Sequence, residues 1–239
     1  MRLLVANPFT FDYLEGQLAR ARELGYRFIR CEEVVDQNED VLDRCVVMRV
    51  DIDESVEKTN RLMDIFSRHK VQASFFVRLH GPYNPFSYAN YITLRRIRDE
   101  GHEIGYHSEV IDESVIWGEN AADCLTRDIE ILERMLGVRV RGVASHGGRT
   151  GLNNLDFWKV HTPSDFSLDY EAYDDSSRFG LFGRSLYVSD SEWTRWKCYR
   201  NGEIVAGDHR SLADHLEELP EIVYLLIHPE TYFEDHIYE

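Results

Sequence analysis

The sequence is poor in cysteine and lacks the cysteine pairs that bind zinc or carry out redox chemistry. Its four cysteines, Cys31, Cys45, Cys124 and Cys198, stand far apart in a chain of 239 residues and form no C-x-x-C motif. This spacing indicates neither a zinc site built from paired thiolates nor a thiol redox motif. Few and scattered cysteines are typical of a reducing compartment, so we expect a cytoplasmic protein.

Basic residues are also in short supply. The chain has 27 Lys and Arg against 43 Asp and Glu, which gives a net charge of −16. Nucleic acids and anionic membrane surfaces attract proteins through clusters of positive charge. The composition therefore argues against nucleic acid and against a membrane surface as partners.

Long hydrophobic runs are absent as well. The longest, Ile222–Ile227, is far shorter than the ~20 residues of a membrane-spanning helix. Near the start of the chain, Leu3–Ala6 is too short for the apolar region of a secretory signal. Apolar residues nevertheless make up 43% of the chain, which is enough for a sizeable folded core.

Short apolar runs rich in β-branched residues alternate with helical patterns along the chain, which predicts a parallel sheet. Without a Pro, Gly or Ser-rich linker, residues 1–239 are best interpreted as one domain. The predicted strands are Cys45–Val50, Ala73–Leu79, Glu103–His107, Val140–Ala144, Phe166–Tyr170, Ser185–Ser189 and Glu221–Ile227. The clearest helical patterns are Tyr13–Gly25, Ser55–Lys70, Glu119–Leu136 and a late helix opened by Ser211-x-x-Asp214.

Two carboxylates follow the first of these strands. Asp51 and Asp53 are two residues apart, so strand alternation places both side chains on one face. In a parallel barrel the active site forms at the carboxyl ends of the strands. One carboxylate of such a pair can hold a cation while the other acts as a base. The plainer alternative is that Asp53 only caps the next helix.

Histidines follow three later strands. His107 and Glu109 end the third strand and share a face, His146 follows the fourth, and His228 follows the seventh. Imidazole and carboxylate groups are ordinary ligands of zinc and related divalent ions. A single histidine at a strand end is more often structural, but titratable residues at four strand ends together indicate a site.

Two further polar residues occupy loops at the same end of the predicted strands. Arg149 lies shortly after the fourth strand, and Asp190 directly follows the sixth. Their positions beside the histidines make both of them candidates for contacts with a substrate. For Asp190, the simpler interpretation is a turn residue.

The order of these motifs resembles the polysaccharide deacetylase family of metal-dependent carbohydrate esterases, especially a divergent branch found with surface-polysaccharide biosynthesis. The resemblance extends from about residue 10 to residue 230. The segments that carry it are Arg49–Asp53, Glu57–Phe76, Gly101–Glu109, Ser145–Gly148 and Leu226–Pro229.

The resemblance implies a distorted (β/α)7-type barrel and hydrolysis of an N-acetyl group on a sugar or sugar conjugate, with a divalent metal, usually zinc, as cofactor. By position, Asp51 matches the general base and His228 the general acid, while Asp53 and His107 match metal ligands. The partner it implies is a small-molecule or oligosaccharide substrate. An acidic surround favours a neutral substrate over a polyanionic glycan.

The chain departs from the family pattern at the third ligand. Where the family has a second histidine four residues after the first, this chain has Ile111. Either Glu109 or His146 could supply the missing ligand, and the sequence does not choose between them. The Arg-containing third motif of the family is absent in its usual form, and His146 stands near its place.

Two other interpretations compete with this one. A D-x-D motif after an apolar strand is also typical of haloacid-dehalogenase-like phosphatases, for which Asp174-Asp175 could supply a later acidic pair. The chain could instead be a carbohydrate-binding protein without catalysis. Aromatic residues that could stack on sugar rings include Trp117, Trp193, Trp196 and Tyr232. The products separate the two enzymes, since a deacetylase releases acetate and a phosphatase releases inorganic phosphate.

Overall fold

A curved, mainly parallel β-sheet organises the chain in the computed structural model, which describes residues 9–36, 42–175 and 178–235. The predicted Leu3–Ala6 run lies outside these residues. The strands are Arg27–Ile29 (β1), Cys45–Ile52 (β2), Ser74–Val77 (β3), Glu103–Ser108 (β4), Gly142–Ser145 (β5), Tyr170–Glu171 (β6), Leu186–Ser189 (β7), Lys197–Arg200 (β8), Glu203–Ile204 (β9) and Ile222–Ile227 (β10).

Helices fill most of the connections between these strands. They are Phe11–Glu23 (α1), Cys31–Asp36 (α2), Thr59–His69 (α3), Tyr88–Asp99 (α4), Val110–Trp117 (α5), Ala121–Leu136 (α6), Leu181–Arg184 (α7) and Leu212–Leu216 (α8), with 3-10 turns at Asn154–Lys159, Pro163–Phe166 and Pro229–Thr231. No helix in the described ranges is both long and apolar enough to cross a membrane.

The sheet has the strand order β6-β5-β4-β3-β2-β10-β7-β8-β9, and β1 pairs with β2 as well. All pairs are parallel except β7 with β8 and β8 with β9. Parallel strands joined by helical crossovers give an α/β barrel-like architecture. The prediction of a distorted (β/α) barrel is confirmed.

Strand alternation decides what faces the barrel interior. Along β2, Val46, Met48, Val50 and Ile52 pack in the apolar layer shared with the helices. Cys45 and Val47 face the other way, into a cluster that contains Phe76, Tyr170 and Tyr224. We call this inner cluster the barrel interior. Continued alternation turns the side chains of Arg49 and Asp51 toward the same interior.

Helix α6 shows how local sequence sets the crossovers. The Asn120 side chain accepts hydrogen bonds from the amides of Ala122 and Asp123, which caps the first turn. Gly137 ends the helix with a left-handed φ of 66°. Apolar residues at helical spacing form its buried face, and each stabilises the fold by about 1.5–3 kcal/mol. They are Leu125, Ile129, Leu132 and Leu136.

The predicted strand Phe166–Tyr170 is wrong over most of its length. Pro163–Phe166 forms a 3-10 turn opened by a capping box between Thr162 and Asp165, and β6 begins only at Tyr170. Proline and a capping box favour a turn over a strand, and they outweigh the apolar pattern. The capping box predicted at Ser211 is confirmed at the start of α8.

Candidate active site

Polar side chains from four parallel strands meet at the carboxyl end of the barrel. Asp53 follows β2, His107 lies near the end of β4, His146 follows β5, and His228 follows β10. Nε2 of His107 lies 3.0 Å from Oδ1 of Asp53, and Nε2 of His146 lies 3.6 Å from its Oδ2. Nε2 of His228 lies 3.9 Å from the same Oδ2. The structure therefore brings together the residues predicted at these strand ends.

His107 is held in one orientation by the neighbouring strand. Its Nδ1 lies 2.8 Å from the carbonyl oxygen of Ala144 and donates to it. Nε2 is left facing the carboxylates of Asp53 and Asp51, the latter at 3.4 Å. Burial disfavours the charged ring, but the two carboxylates outweigh burial and raise the pKa of His107. The ring nitrogen and the carboxylates thus point at a place where a cation is stabilised.

Asp53, His107 and His146 have the composition of a divalent-metal site. One ligand atom from each lies within 4.8 Å of the other two. Oδ1 of Asp53 is buried and, apart from its 3.0 Å ion-pair contact with Nε2 of His107, forms no hydrogen bond with the described residues. Buried polar atoms are rarely left unpaired, and two imidazoles with a carboxylate form a normal zinc ligand set. These residues fit a divalent ion.

Glu109 is engaged elsewhere. Nε and Nη2 of Arg78 donate to its two carboxylate oxygens at 2.6 Å each, and both side chains are buried. Oε1 of Glu109 also lies 3.5 Å from Nδ1 of His146, on the side of that ring away from Asp53. This arrangement places Glu109 behind His146, where it can orient the imidazole, as residues next to metal ligands commonly do.

Replacing Glu109 with glutamine should lower stability and weaken metal binding without abolishing it. The change leaves the buried Arg78 guanidinium without its carboxylate, so we expect a loss of up to about 3–5 kcal/mol in the free energy of unfolding. Zinc affinity should fall no more than about 10–100-fold, the effect typical of a residue that orients a ligand. Urea unfolding and a zinc competition assay check both numbers. Complete loss of zinc binding with unchanged stability would identify Glu109 as a ligand instead.

Asp51 forms a buried ion pair with a residue that the sequence analysis missed. Nε and Nη2 of Arg49 donate to Oδ1 and Oδ2 of Asp51 at 2.8 and 2.6 Å. The guanidinium also lies over the ring of Tyr173, 4.6 Å from its centre. Burial opposes ionisation of Asp51, but Arg49 outweighs it and lowers the pKa of the carboxyl group. Strand alternation is the signal that could have identified Arg49, which stands two residues before Asp51.

His228 is supported from behind by Asp190. Nδ1 of His228 lies 2.6 Å from Oδ1 of Asp190, and the backbone amide of His228 donates to Oδ2 at 2.9 Å. Burial disfavours the protonated ring, but the charge and hydrogen bond of Asp190 overcome it and raise the pKa of His228 to about 10. His228 is therefore protonated at neutral pH.

The position of Asp190 corrects its expected role. Its side chain is completely buried behind His228, so it cannot reach a substrate as the sequence analysis expected. Arg149, in contrast, is exposed in the loop after β5. Its backbone amide is held by Asp112. A substrate contact by the Arg149 side chain stays a prediction.

The aromatic residues that could stack on sugar rings also divide into exposed and buried ones. Trp193 is 41% exposed and stacks on His228, with ring centres 6.3 Å apart, and Trp117 is 50% exposed. Trp196 and Tyr232 are buried in the core, which excludes them as sugar-stacking surfaces. Only the first two can offer a ring face to a ligand.

Comparison with known proteins adds a family and a fold. A family model described as polysaccharide deacetylase matches residues 38–160, slightly more than half of the chain. No curated protein matches the sequence.

Solved structures of two deacetylases and a carbohydrate esterase are similar to this one at low sequence identity. The Streptococcus pyogenes deacetylase PplD aligns with a TM-score of 0.50 and 20% identity, over 66% of this chain and 70% of its own. A chitin deacetylase from Colletotrichum lindemuthianum aligns with a TM-score of 0.41 and 18% identity, over 77% and 73% of the two chains. A family 4 carbohydrate esterase from Bacillus anthracis gives 0.45 and 17%, over 88% and 75%. The similarity to PplD concerns the fold.

Proposed function

The chain belongs to the polysaccharide deacetylase family of carbohydrate hydrolases, which act on carbon–nitrogen bonds other than peptide bonds, and we propose that it removes an N-acetyl group from a sugar or sugar conjugate with the help of a divalent metal ion. The observation that carries the proposal is the convergence of Asp53, His107 and His146 beside Asp51 and His228.

We propose that Asp53, His107 and His146 hold the metal and that the metal is zinc. Ile111 stands where the family has its second histidine, and we propose that His146 supplies that ligand. Nε2 of His146 faces Asp53, whereas Glu109 lies on the other side of the His146 ring. When bound, such an ion polarises the acetyl carbonyl group and makes water more acidic.

Asp51 is proposed as the general base. Its lowered pKa keeps it ionised at neutral pH, so it can accept a proton from the attacking water molecule. Arg49 holds both oxygens in place, which fixes the direction in which the carboxylate faces the site. In this role Arg49 is a positioning residue, because it acts through Asp51.

His228 is proposed as the general acid. The scissile C–N bond breaks only if the departing nitrogen receives a proton, because an amide anion is a very poor leaving group. The protonated imidazole presents Nε2 to the site, 3.9 Å from Asp53, while Nδ1 stays bound to Asp190. We propose that Asp190 positions His228 and maintains its charge.

Replacing Asp190 with asparagine should move the alkaline limb of the pH–rate profile to lower pH. Activity requires protonated His228, so it falls as the pH rises through the pKa of that residue. Asp53 and Asp51 also raise this pKa and remain in the variant. Losing one adjacent carboxylate should therefore lower the limb by about 1–3 pH units. We would measure acetate release against pH for both proteins, and an unmoved limb would remove Asp190 from this role.

Product analysis tests the reaction itself. The purified protein should release acetate from N-acetylated sugars, and neutral substrates should react faster than polyanionic ones because the protein carries a charge of −16. Release of inorganic phosphate from sugar phosphates, without acetate from any acetylated sugar, would support the D-x-D phosphatase instead. Sugar binding without either product would indicate a non-catalytic descendant of the fold.

We also propose a cytoplasmic location and a single domain over residues 1–239. The first is supported by the four cysteines, which all lie in the described ranges, are buried and are unpaired. The single domain is supported by one apolar core that includes Phe9, near the first described residue, and Tyr232, near the last.

A further inference from the structure

A second cluster of metal-binding side chains lies outside the active site. It consists of Cys198 on β8, Asp208 in the loop between β9 and α8, and His215 on α8. Their ligand atoms lie within 4.8 Å of one another. No paired-cysteine motif marks this cluster in the sequence, because Cys198 has no other cysteine nearby.

His215 is the unusual member of this cluster. The residue is completely buried, and neither ring nitrogen has a hydrogen-bond partner among the described residues. Nε2 faces the carboxylate of Asp208, 3.7 Å from Oδ1. Buried polar groups are almost always paired with protein, water or an ion.

We propose that Cys198, Asp208 and His215 bind a divalent ion of the zinc type, which links strand β8 to helix α8. Ligand atoms around a tetrahedral zinc ion stand about 3.3–3.8 Å apart, and the distance between His215 and Asp208 already lies in that range. Thiolate, imidazole and carboxylate together suit zinc better than calcium or magnesium. Binding requires the Cys198 thiol to lose its proton to solvent as the sulfur–metal bond forms.

Asp208 is the member of the cluster that reaches solvent. The Asp208 side chain is 11% exposed, which offers a path of entry from solvent. Arg210 donates to both of its carboxylate oxygens, with Nη2 at 2.8 Å from Oδ2. Such a contact orients a ligating carboxylate in the way that partners of metal ligands usually do.

A third group, formed by His80, Glu113 and Asp128, also brings its ligand atoms close together. Arg127 donates to Glu113 at 2.7 Å and to Asp128 at 2.8 Å, and Tyr106 donates to Asp128 at 2.7 Å. His80 completes the set at 3.0 Å from Asp128. Unlike His215, no member of this group has a buried ligand atom without a hydrogen-bond partner, so the group carries no metal proposal.

Cobalt substitution tests the proposal without reference to catalysis. The intact protein is loaded with Co²⁺ alone, and we expect a thiolate-to-cobalt charge-transfer band in the near ultraviolet. The ligands proposed for the active site, Asp53, His107 and His146, contain no sulfur, so failure of the deacetylase proposal would not affect this band. Cys198→Ser should lose the band entirely, and the matched control Cys124→Ser should keep it at full intensity.

Thermal unfolding gives a second measurement on the same proteins. Zn²⁺ should raise the Tm of the wild-type protein more than that of Cys198→Ser, because only the wild-type protein has the second site. If Cys198→Ser does not fold, His215→Gln tests the same site and should also lose the band. Absence of the band in the wild-type protein, or an unchanged band in either variant, would overturn the proposal.

Discussion

Replacing His107 with alanine should abolish acetate release because the active site can no longer hold its metal ion. His107 is buried, its Nδ1 is fixed on the Ala144 carbonyl, and its Nε2 faces Asp53 at 3.0 Å. Alanine removes one of three proposed ligands and leaves a space in its place. Even residues that only orient a ligand change metal affinity by about 10–100-fold, so we expect zinc affinity to fall by more than about 100-fold.

The measurement pairs a zinc competition assay with acetate release. Both are best made in the Cys198→Ser background, so that zinc bound outside the active site does not contribute. His161→Ala is the matched control for zinc affinity, since His161 stacks on Phe157 and is not in the group whose ligand atoms converge, so the affinity should stay unchanged. Wild-type zinc affinity in His107→Ala would exclude His107 as a ligand.

Replacing Asp51 with asparagine should stop turnover while the metal stays bound. Asp51 lies beside His107 but is not in the group whose ligand atoms converge. Asparagine has nearly the same shape and cannot accept the proton. We expect kcat to fall by about 10²–10⁴-fold, the usual contribution of a general base. Zinc affinity should stay within about tenfold of the wild-type value, because no ligand is lost.

The ion pair with Arg49 requires a second variant. Asparagine leaves a buried guanidinium without its counter-charge, which costs about 3–5 kcal/mol of stability. The double variant Arg49→Met and Asp51→Asn removes both charges and should recover much of that loss, since well-packed apolar replacements of buried pairs are often neutral. It should be as inactive as the single variant. Turnover near the wild-type rate in a folded variant of either kind would exclude Asp51 as the base.

Most residues of the candidate site could be predicted because they directly follow apolar runs that were predicted to be strands. Because parallel strands end at the same edge of a barrel, Asp53, His107, His146 and His228 were expected to meet, and the structure brings them together. The same rule does not predict whether such a side chain faces the site or is buried behind it. Asp190 also follows a strand, but it lies behind His228 instead of at the surface of the site.

The residues that escaped prediction are those whose role depends on the side chain they pair with. Arg78 and Glu109 directly follow the neighbouring strands β3 and β4, and only their bidentate contact shows that Glu109 is bound to Arg78. In the sequence, Arg49 is a single charged residue within an apolar strand, and only the structure shows its ion pair with Asp51. Short elements were missed for another reason. The strand β1 and the β8–β9 hairpin contain too few residues to show a period.

The dependence of acetate release on metal tests the central claim most directly. Protein stripped with a chelator and dialysed should release no acetate from an N-acetylated sugar above the uncatalysed rate. Adding zinc, or another divalent ion such as cobalt, nickel or manganese, should restore release in the wild-type protein and not in His107→Ala. Full acetate release by the stripped protein would contradict a reaction that depends on an ion held by Asp53, His107 and His146.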